Sequence, residues 1–191
     1  MTLARDSGFT LIEAMVTLAV VAVVLSAGVP SFSAMIKNNR LATESHALRT
    51  VLSAARFEAQ AQRSAVTVCR STNAIDCSTG DWGAGYMAFI DLDGDAQLDD
   101  GEQLLEYRVQ NTQGIGVSYS QAGGILRFDG SGNAAESNGT FTFCDDRGAV
   151  AARGLVVSVV GRVRPAVMSE REGSTHIVQD HDGNDVTCNV V

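Results

Sequence analysis

From Phe9 to Val29 only Thr10, Glu13, Thr17 and Ser26 carry polar side chains, and the rest of the run is apolar or small. As a helix rising roughly 1.5 Å per residue, about 21 residues span the ~30 Å hydrocarbon layer of a bilayer. A secretory signal has a shorter apolar core, about 7 to 15 residues, and ends in a small-x-small cleavage site. Ser26-Ala27-Gly28, followed at once by Pro30, matches that poorly. The pattern therefore predicts a membrane helix, with a kink or local unwinding near residues 26 to 30 where Pro30 removes a backbone donor beside Gly28. The helical pattern continues to about residue 64 but becomes amphipathic. Leu41, Leu48, Val51, Leu52, Ala55 and Ala59 recur at three- and four-residue intervals, with Lys37, Arg40, Arg49 and Arg56 largely elsewhere.

After residue 65 the period shortens. VTVCR (66 to 70), YMAFID (86 to 91), LLEYRV (104 to 109), GVSYS (116 to 120), ILRF (125 to 128), TFTFC (140 to 144) and LVVSVVGRVR (155 to 164) are β-like runs separated by Gly, Asn, Asp and Ser. Gly8 and Gly28 are the only glycines before Gly80, which places the change of character near that point. Alternation puts Leu105, Tyr107 and Val109 on one face and Phe141 with Phe143 on another. Those faces are expected to cover the amphipathic half of the helix. The fold class is α+β, a long N-terminal helix packed on a C-terminal antiparallel sheet domain.

Composition narrows the function. A net charge of -8 and a pI near 4.7 exclude a general nucleic-acid-binding surface, so any such activity must be local. Cys69, Cys77, Cys144 and Cys188 contain no CxxC, which does not fit a zinc site; an even number in an exported chain points to disulfides. Four cysteines allow three pairings, and sequence proximity favours Cys69 with Cys77 and Cys144 with Cys188. No nucleophile elbow, phosphate loop or zinc-protease helix is present, and the chain reads as non-enzymatic.

Four features carry candidate chemistry. Glu13 is a carboxylate in an apolar run, where ionisation costs on the order of 2.5 to 3.5 kcal/mol by insertion scales; it either snorkels to the interface or is offset by a partner. DLDGDAQLDDGE places Asp91, Asp93, Asp95, Gln97, Asp99 and Glu102 at the ligand positions of an EF-hand-like calcium loop, with Ala96 where that loop expects glycine. An acidic hairpin turn is the alternative. GRVR lies in a stretch from 153 to 168 with three arginines and no acid; in an extended strand Arg162 and Arg164 share a face about 7 Å apart, near the phosphate spacing of one DNA strand. Ion pairing with local acids is the alternative there. His176 and His181 with Asp180, Asp182 and Asp185 read as a polar tail loop, with metal binding the lesser alternative, and Trp82 reads as a packing anchor.

The junction Ser7-Gly8-Phe9-Thr10-Leu11-Ile12-Glu13 resembles the leader and first mature residues of type IV pilins and type II secretion pseudopilins. The resemblance implies a leader at 1 to 8, cleavage by prepilin peptidase after Gly8, and N-methylation of Phe9. It also implies an assembly role for Glu13, whose carboxylate would attract the N-terminal amine of a neighbouring subunit. The single basic residue of the leader, Arg5, is offset by Asp6. Ala55 to Ala59 (AR-x-EA), GDWGAGYMAFIDLDGD and LVVSVVGRVRP are similar to segments of the GspH/FimT/FimU branch. That implies a filament-core membrane helix at 9 to 30, an amphipathic helix at 31 to 64 and a β-rich pilin domain at 65 to 191. The function implied is a minor type IV pilin at or near the pilus tip, supporting assembly. DNA capture for uptake through Arg162 and Arg164, or a GspH-like pseudopilin of type II secretion, are the alternatives. Implied partners are other minor and major pilins, the peptidase, the inner-membrane assembly platform and the membrane, with DNA under the alternative. The implied location is the bacterial inner membrane before assembly and an extracellular pilus or periplasmic pseudopilus after it.

Overall fold

The structure, a computed structural model, describes residues 8–77, 81–109, 114–121, 123–169 and 177–188. The body of the expected leader and His176 lie outside the described residues. The chain divides into two compact units, Met1–Asn39 and Arg40–Val191. A single helix, α1, is assigned from Leu11 to Gln62.

In the first unit Thr10 caps the helix. Its carbonyl accepts from the Ala14 N–H at 3.2 Å and its hydroxyl accepts from the Glu13 N–H at 3.3 Å. The hydroxyls of Thr17 and Ser26 fold back onto the carbonyls of Ala14 and Val23, at 2.9 and 2.8 Å. Each polar hydroxyl of the apolar run is thus satisfied within the helix, as a lipid environment demands. Residues 26 to 30 remain helical, so the expected unwinding does not occur; Pro30 costs the ladder one donor without ending it.

In the second unit α1 buries Leu41, Leu48, Val51, Leu52, Ala55 and Ala59, the six positions its periodicity singles out. It stops without a glycine: Arg63 takes a left-handed φ of 52° and the Ser64 N–H reaches back to the Ala59 carbonyl. Eight strands follow, β1 (Val66–Arg70), β2 (Gly85–Ile90), β3 (Leu104–Val109), β4 (Gly116–Tyr119), β5 (Ile125–Phe128), β6 (Gly139–Cys144), β7 (Arg153–Val157) and β8 (Val163–Pro165). They form two antiparallel four-stranded sheets, ordered β3-β2-β1-β5 and β4-β6-β7-β8.

The main core joins the helix stripe to the inner faces of both sheets. Val66, Val68, Ala88, Leu126 and Phe128 come from the first sheet, and Phe141, Phe143, Leu155 and Val157 from the second. Trp82 is buried there, edge-on to Phe141 at 4.7 Å, while Tyr119 stacks on Phe141 at 4.0 Å. Burial pushes the Tyr119 hydroxyl well above its ordinary pKa, and it donates to the Ser137 carbonyl. The outer face of the first sheet holds a second cluster, Cys69, Met87 and Phe89 with Tyr107 and Ile125, closed over by Cys77 and Leu98. The outer face of the second carries Cys144 and Ala152, covered by Val178 and Val186. The disulfides Cys69–Cys77 and Cys144–Cys188 tie down these two covers.

Two sequence expectations fail for non-local reasons. Leu105, Tyr107 and Val109 do not share a face. The pairing of β3 with β2 slips at Ala88/Phe89, so Leu105 packs on the main core while Tyr107 joins the outer cluster. The run from 155 to 164 is a hairpin rather than one strand: β7 ends at Val157, the Ser158 N–H bonds the Arg162 carbonyl, and β8 returns alongside with Val157 opposite Val163.

Candidate assembly and recognition sites

The N-terminal site is set by the helix start. Gly8 and Phe9 precede α1 and are exposed, Phe9 at 85%, so the peptide bond between them lies outside helical structure. Thr10-x-x-Glu13 has capping-box spacing, but only one of that motif's two reciprocal bonds forms, from the Glu13 N–H to the Thr10 hydroxyl. The Glu13 carboxylate makes no hydrogen bond or ion pair with a described residue. It is an uncommitted acceptor one turn into an apolar helix, within reach of the helix's positive end.

The acidic loop is organised around an internal cation. Asp91 is fully buried; Arg127 donates to its Oδ2 at 2.6 Å and also to the Gly94 carbonyl and the Thr67 hydroxyl. Thr67 donates to the same Asp91 oxygen, and the Gly94 N–H takes Oδ1 at 2.8 Å. Glu102 staples the loop by accepting from Leu92 and Asp99 N–H at 2.6 and 3.1 Å, and Asp95 accepts from the backbone and side chain of Gln97, both at 2.8 Å. The carboxylates of Asp91, Asp93 and Asp95 do come together, with ligand atoms within 4.8 Å of one another. The donor set nevertheless fits calcium poorly, because both Asp91 oxygens are already occupied and the Arg127 guanidinium is paired with this carboxylate. Partial desolvation, then the neighbouring Asp95, Asp93, Glu102 and Asp100 charges, hold the Asp99 carboxyl above its usual range.

At the GRVR corner, three elements meet. Arg56 from α1 donates to the carbonyls of Gly132 and Val160 at 2.9 and 3.0 Å, and Gln60 to that of Ser131 at 3.0 Å. Gly161 sits at φ 70°, with the Gly132 carbonyl oxygen 1.9 Å from where a Cβ would project. The glycine of GRVR is therefore required by backbone approach. Val163 packs on the main core, which turns its neighbours Arg162 and Arg164 outward; both are exposed. Neither pairs with a described acid; Arg164 reaches only the Pro165 carbonyl at 3.4 Å.

The 129–133 turn that supports this corner recurs at 180–184, as Asp-x-x-Gly-Asn in both. In each, the first Asp accepts from N–H groups two and four residues on and exchanges backbone bonds across the turn. Hydrogen bonding from Asn133 leads in holding Asp129 below the usual carboxylate range, against desolvation. At Asp180 desolvation is the larger single influence, but bonds from Asn184 and Asp182 and the nearby His181 together outweigh it. His181 donates its N–H to Thr140 Oγ1 at 2.8 Å, and Asp180, His181 and Asp182 cluster within 4.8 Å, while Asp185 pairs by backbone with Gln179. Arg56, Arg127 and Asp129 are the residues whose roles sequence reasoning passed over, and Asp180 was read only as part of a polar tail loop. The repeated Asp-x-x-Gly-Asn was the available signal for the two aspartates.

A capped apolar helix bearing one free acid, continuing into a helix packed on antiparallel sheets, defines a pilin-like, non-enzymatic subunit. The profile of the family described as type II transport protein GspH matches residues 44–161, more than half of the chain, and the prokaryotic N-terminal methylation motif matches residues 3–29. The chain belongs to the GspH family and is a minor pilin or pseudopilin of the type IV pilus and type II secretion class. The methylation motif and a helix long and apolar enough to cross a membrane are consistent with an inner-membrane prepilin. Among solved structures it is similar to the type IV minor pilin FimU of Pseudomonas aeruginosa (strain PAO1) in two crystal forms. The P21 form gives a TM-score of 0.55 at 22% identity, covering 70% of this chain and 92% of that one. The P65 form gives 0.51 at 22% identity, covering 65% and 91%. Among curated proteins, no match was found.

Proposed function

We propose that this chain is a minor type IV pilin, processed between Gly8 and Phe9, methylated on Phe9, and incorporated at or near the pilus tip in support of assembly. The observation that carries the reading is the state of Glu13. The other polar side chains of the apolar run bond within their own helix, whereas this carboxylate has no described partner. A cationic N-terminal amine on a neighbouring subunit supplies the missing counter-ion, so leaving the bilayer for the filament relieves an unpaired charge. The likeness in fold to FimU supports the pilus over the secretion pseudopilus. The test is filament entry of Glu13→Ala and Glu13→Gln chains. Normal entry of both would refute the mechanism, and fractionation with secretion pseudopili instead of pili would favour the GspH-like alternative.

A second reading, DNA capture, is favoured by the outward, acid-free placement of Arg162, just before the edge strand β8, and Arg164 on it. A gel shift with the full chain in nonionic detergent tests it. A salt-sensitive shift lost in the Arg162→Ala/Arg164→Ala double variant supports it, and no shift of the unmutated chain rejects it.

A further inference from the structure

A small cavity of about 100 Å³ lies between α1 and the β7–β8 side of the second sheet. Ser45, His46 and Arg49 line it from the helix, and Arg153 and Gly154 from β7, with apolar flanks that include Met168. Among the described residues no acid lines it. Neither Arg49 nor Arg153 forms an ion pair with a described residue. Arg49 and Arg153 reach this cavity from different elements, with Ser45 and His46 beside them, and an anion held between them would offset their like charges. The volume admits one carboxylate and the start of its stem.

We propose that Arg49 and Arg153 form a pocket for a single carboxylate, supplied by an acidic side chain of an adjacent subunit. Planar guanidinium forks match carboxylate geometry, and the apolar flank suits the methylene stem of Asp or Glu better than it suits a sugar-phosphate chain. The proposal rests on the assembly reading above, since the acid comes from a filament neighbour.

The experiment is a titration of the full chain in nonionic detergent, followed by NMR of the arginine Nε–H signals. The probes are N-acetyl-glutamate α-amide, inorganic phosphate and sodium chloride at matched ionic strength. The expected result is a saturable shift at Arg49 and Arg153 with the carboxylate probe, weakened about tenfold or more by Arg49→Gln or Arg153→Gln. No saturable shift, an equal response to chloride, or tighter binding of phosphate overturns the proposal. Filament entry is scored in parallel. If the Arg49→Gln/Arg153→Gln chain enters filaments normally while Glu13→Ala does not, the pocket is overturned and the assembly reading stands. Poor entry of a double variant with unchanged thermal unfolding supports the pocket.

Discussion

Arg56 and Gly161, 105 positions apart in the chain, hold one corner of the domain between them. The guanidinium binds the carbonyls of Gly132 and Val160, and its Nε lies 3.0 Å from where a Cβ on Gly161 would stand. Gly161→Ala must therefore move the 129–133 turn and adopt a left-handed φ, and is expected to cost about 2–4 kcal/mol. Arg56→Ala loses two charge-assisted bonds and is expected to cost about 1–3 kcal/mol. Because the two share one corner, the double variant should cost less than the sum of the singles. Urea unfolding of the full chain in detergent, followed by Trp82 fluorescence, measures all three.

Much of this architecture follows from local pattern. The buried stripe from Leu41 to Ala59 was legible because helix periodicity alone selects a face. The ranges of β1, β3 and β5 were legible because turn residues bound them tightly. The hairpin inside LVVSVVGRVR was hidden by β-branched residues on both sides of its turn; Gly161 in a strand pattern was the one signal of a break. The slip in β3 was invisible because register depends on Ala88 and Phe89, fifteen or more residues away. Arg127 shows the same limit at the acidic loop, since spacing displays the carboxylates of 91 to 102 but not a cation arriving from a strand 36 positions on.

Arg127→Ala strands the fully buried Asp91 without its counter-ion, leaving Thr67 and the Gly94 N–H as its remaining partners. The expected cost is about 3 kcal/mol. Asp91→Asn/Arg127→Leu should recover part of it, because no unpaired charge stays buried. Calcium added to the unmutated chain should leave its unfolding midpoint unchanged, as Arg127 already occupies the Asp91 carboxylate; a concentration-dependent rise would count against this account.

Stability should fall as pH drops through the carboxylate range. Asp129 and Asp180 titrate below their unfolded values, so their contribution is complete above about pH 4 and is lost as pH falls through the lower folded pKa. Asp129→Asn keeps the turn's acceptor but removes its titration, and should flatten the acid slope. Asp99 acts with the opposite sign. Its folded pKa is raised, so its charge is unfavourable at neutral pH and protonation relieves it. Asp99→Asn should therefore stabilise at pH 7 and lose that advantage below about pH 4. Unfolding midpoints of the three chains between about pH 3 and pH 7 decide the point.

The two disulfides should differ in weight because they close loops of different length. Cys69–Cys77 spans 8 residues and Cys144–Cys188 spans 44. Loop-closure entropy assigns them about 2.5 and about 4 kcal/mol, as upper values. The consequences also differ in place. The first bond closes a turn already stitched by Asn73, whose side chain accepts from Ile75 and Asp76 N–H. The second anchors a tail whose apolar hold on the sheet is Val178 and Val186 against Cys144 and Ala152. Cys144→Ser/Cys188→Ser should therefore free the segment from 177 to 188 and open it to limited proteolysis while the main core stays folded. Cys69→Ser/Cys77→Ser should lower the unfolding midpoint with no new cleavage near the C-terminus. Equal protease resistance of the two double variants would mean that the tail holds to the second sheet without its disulfide.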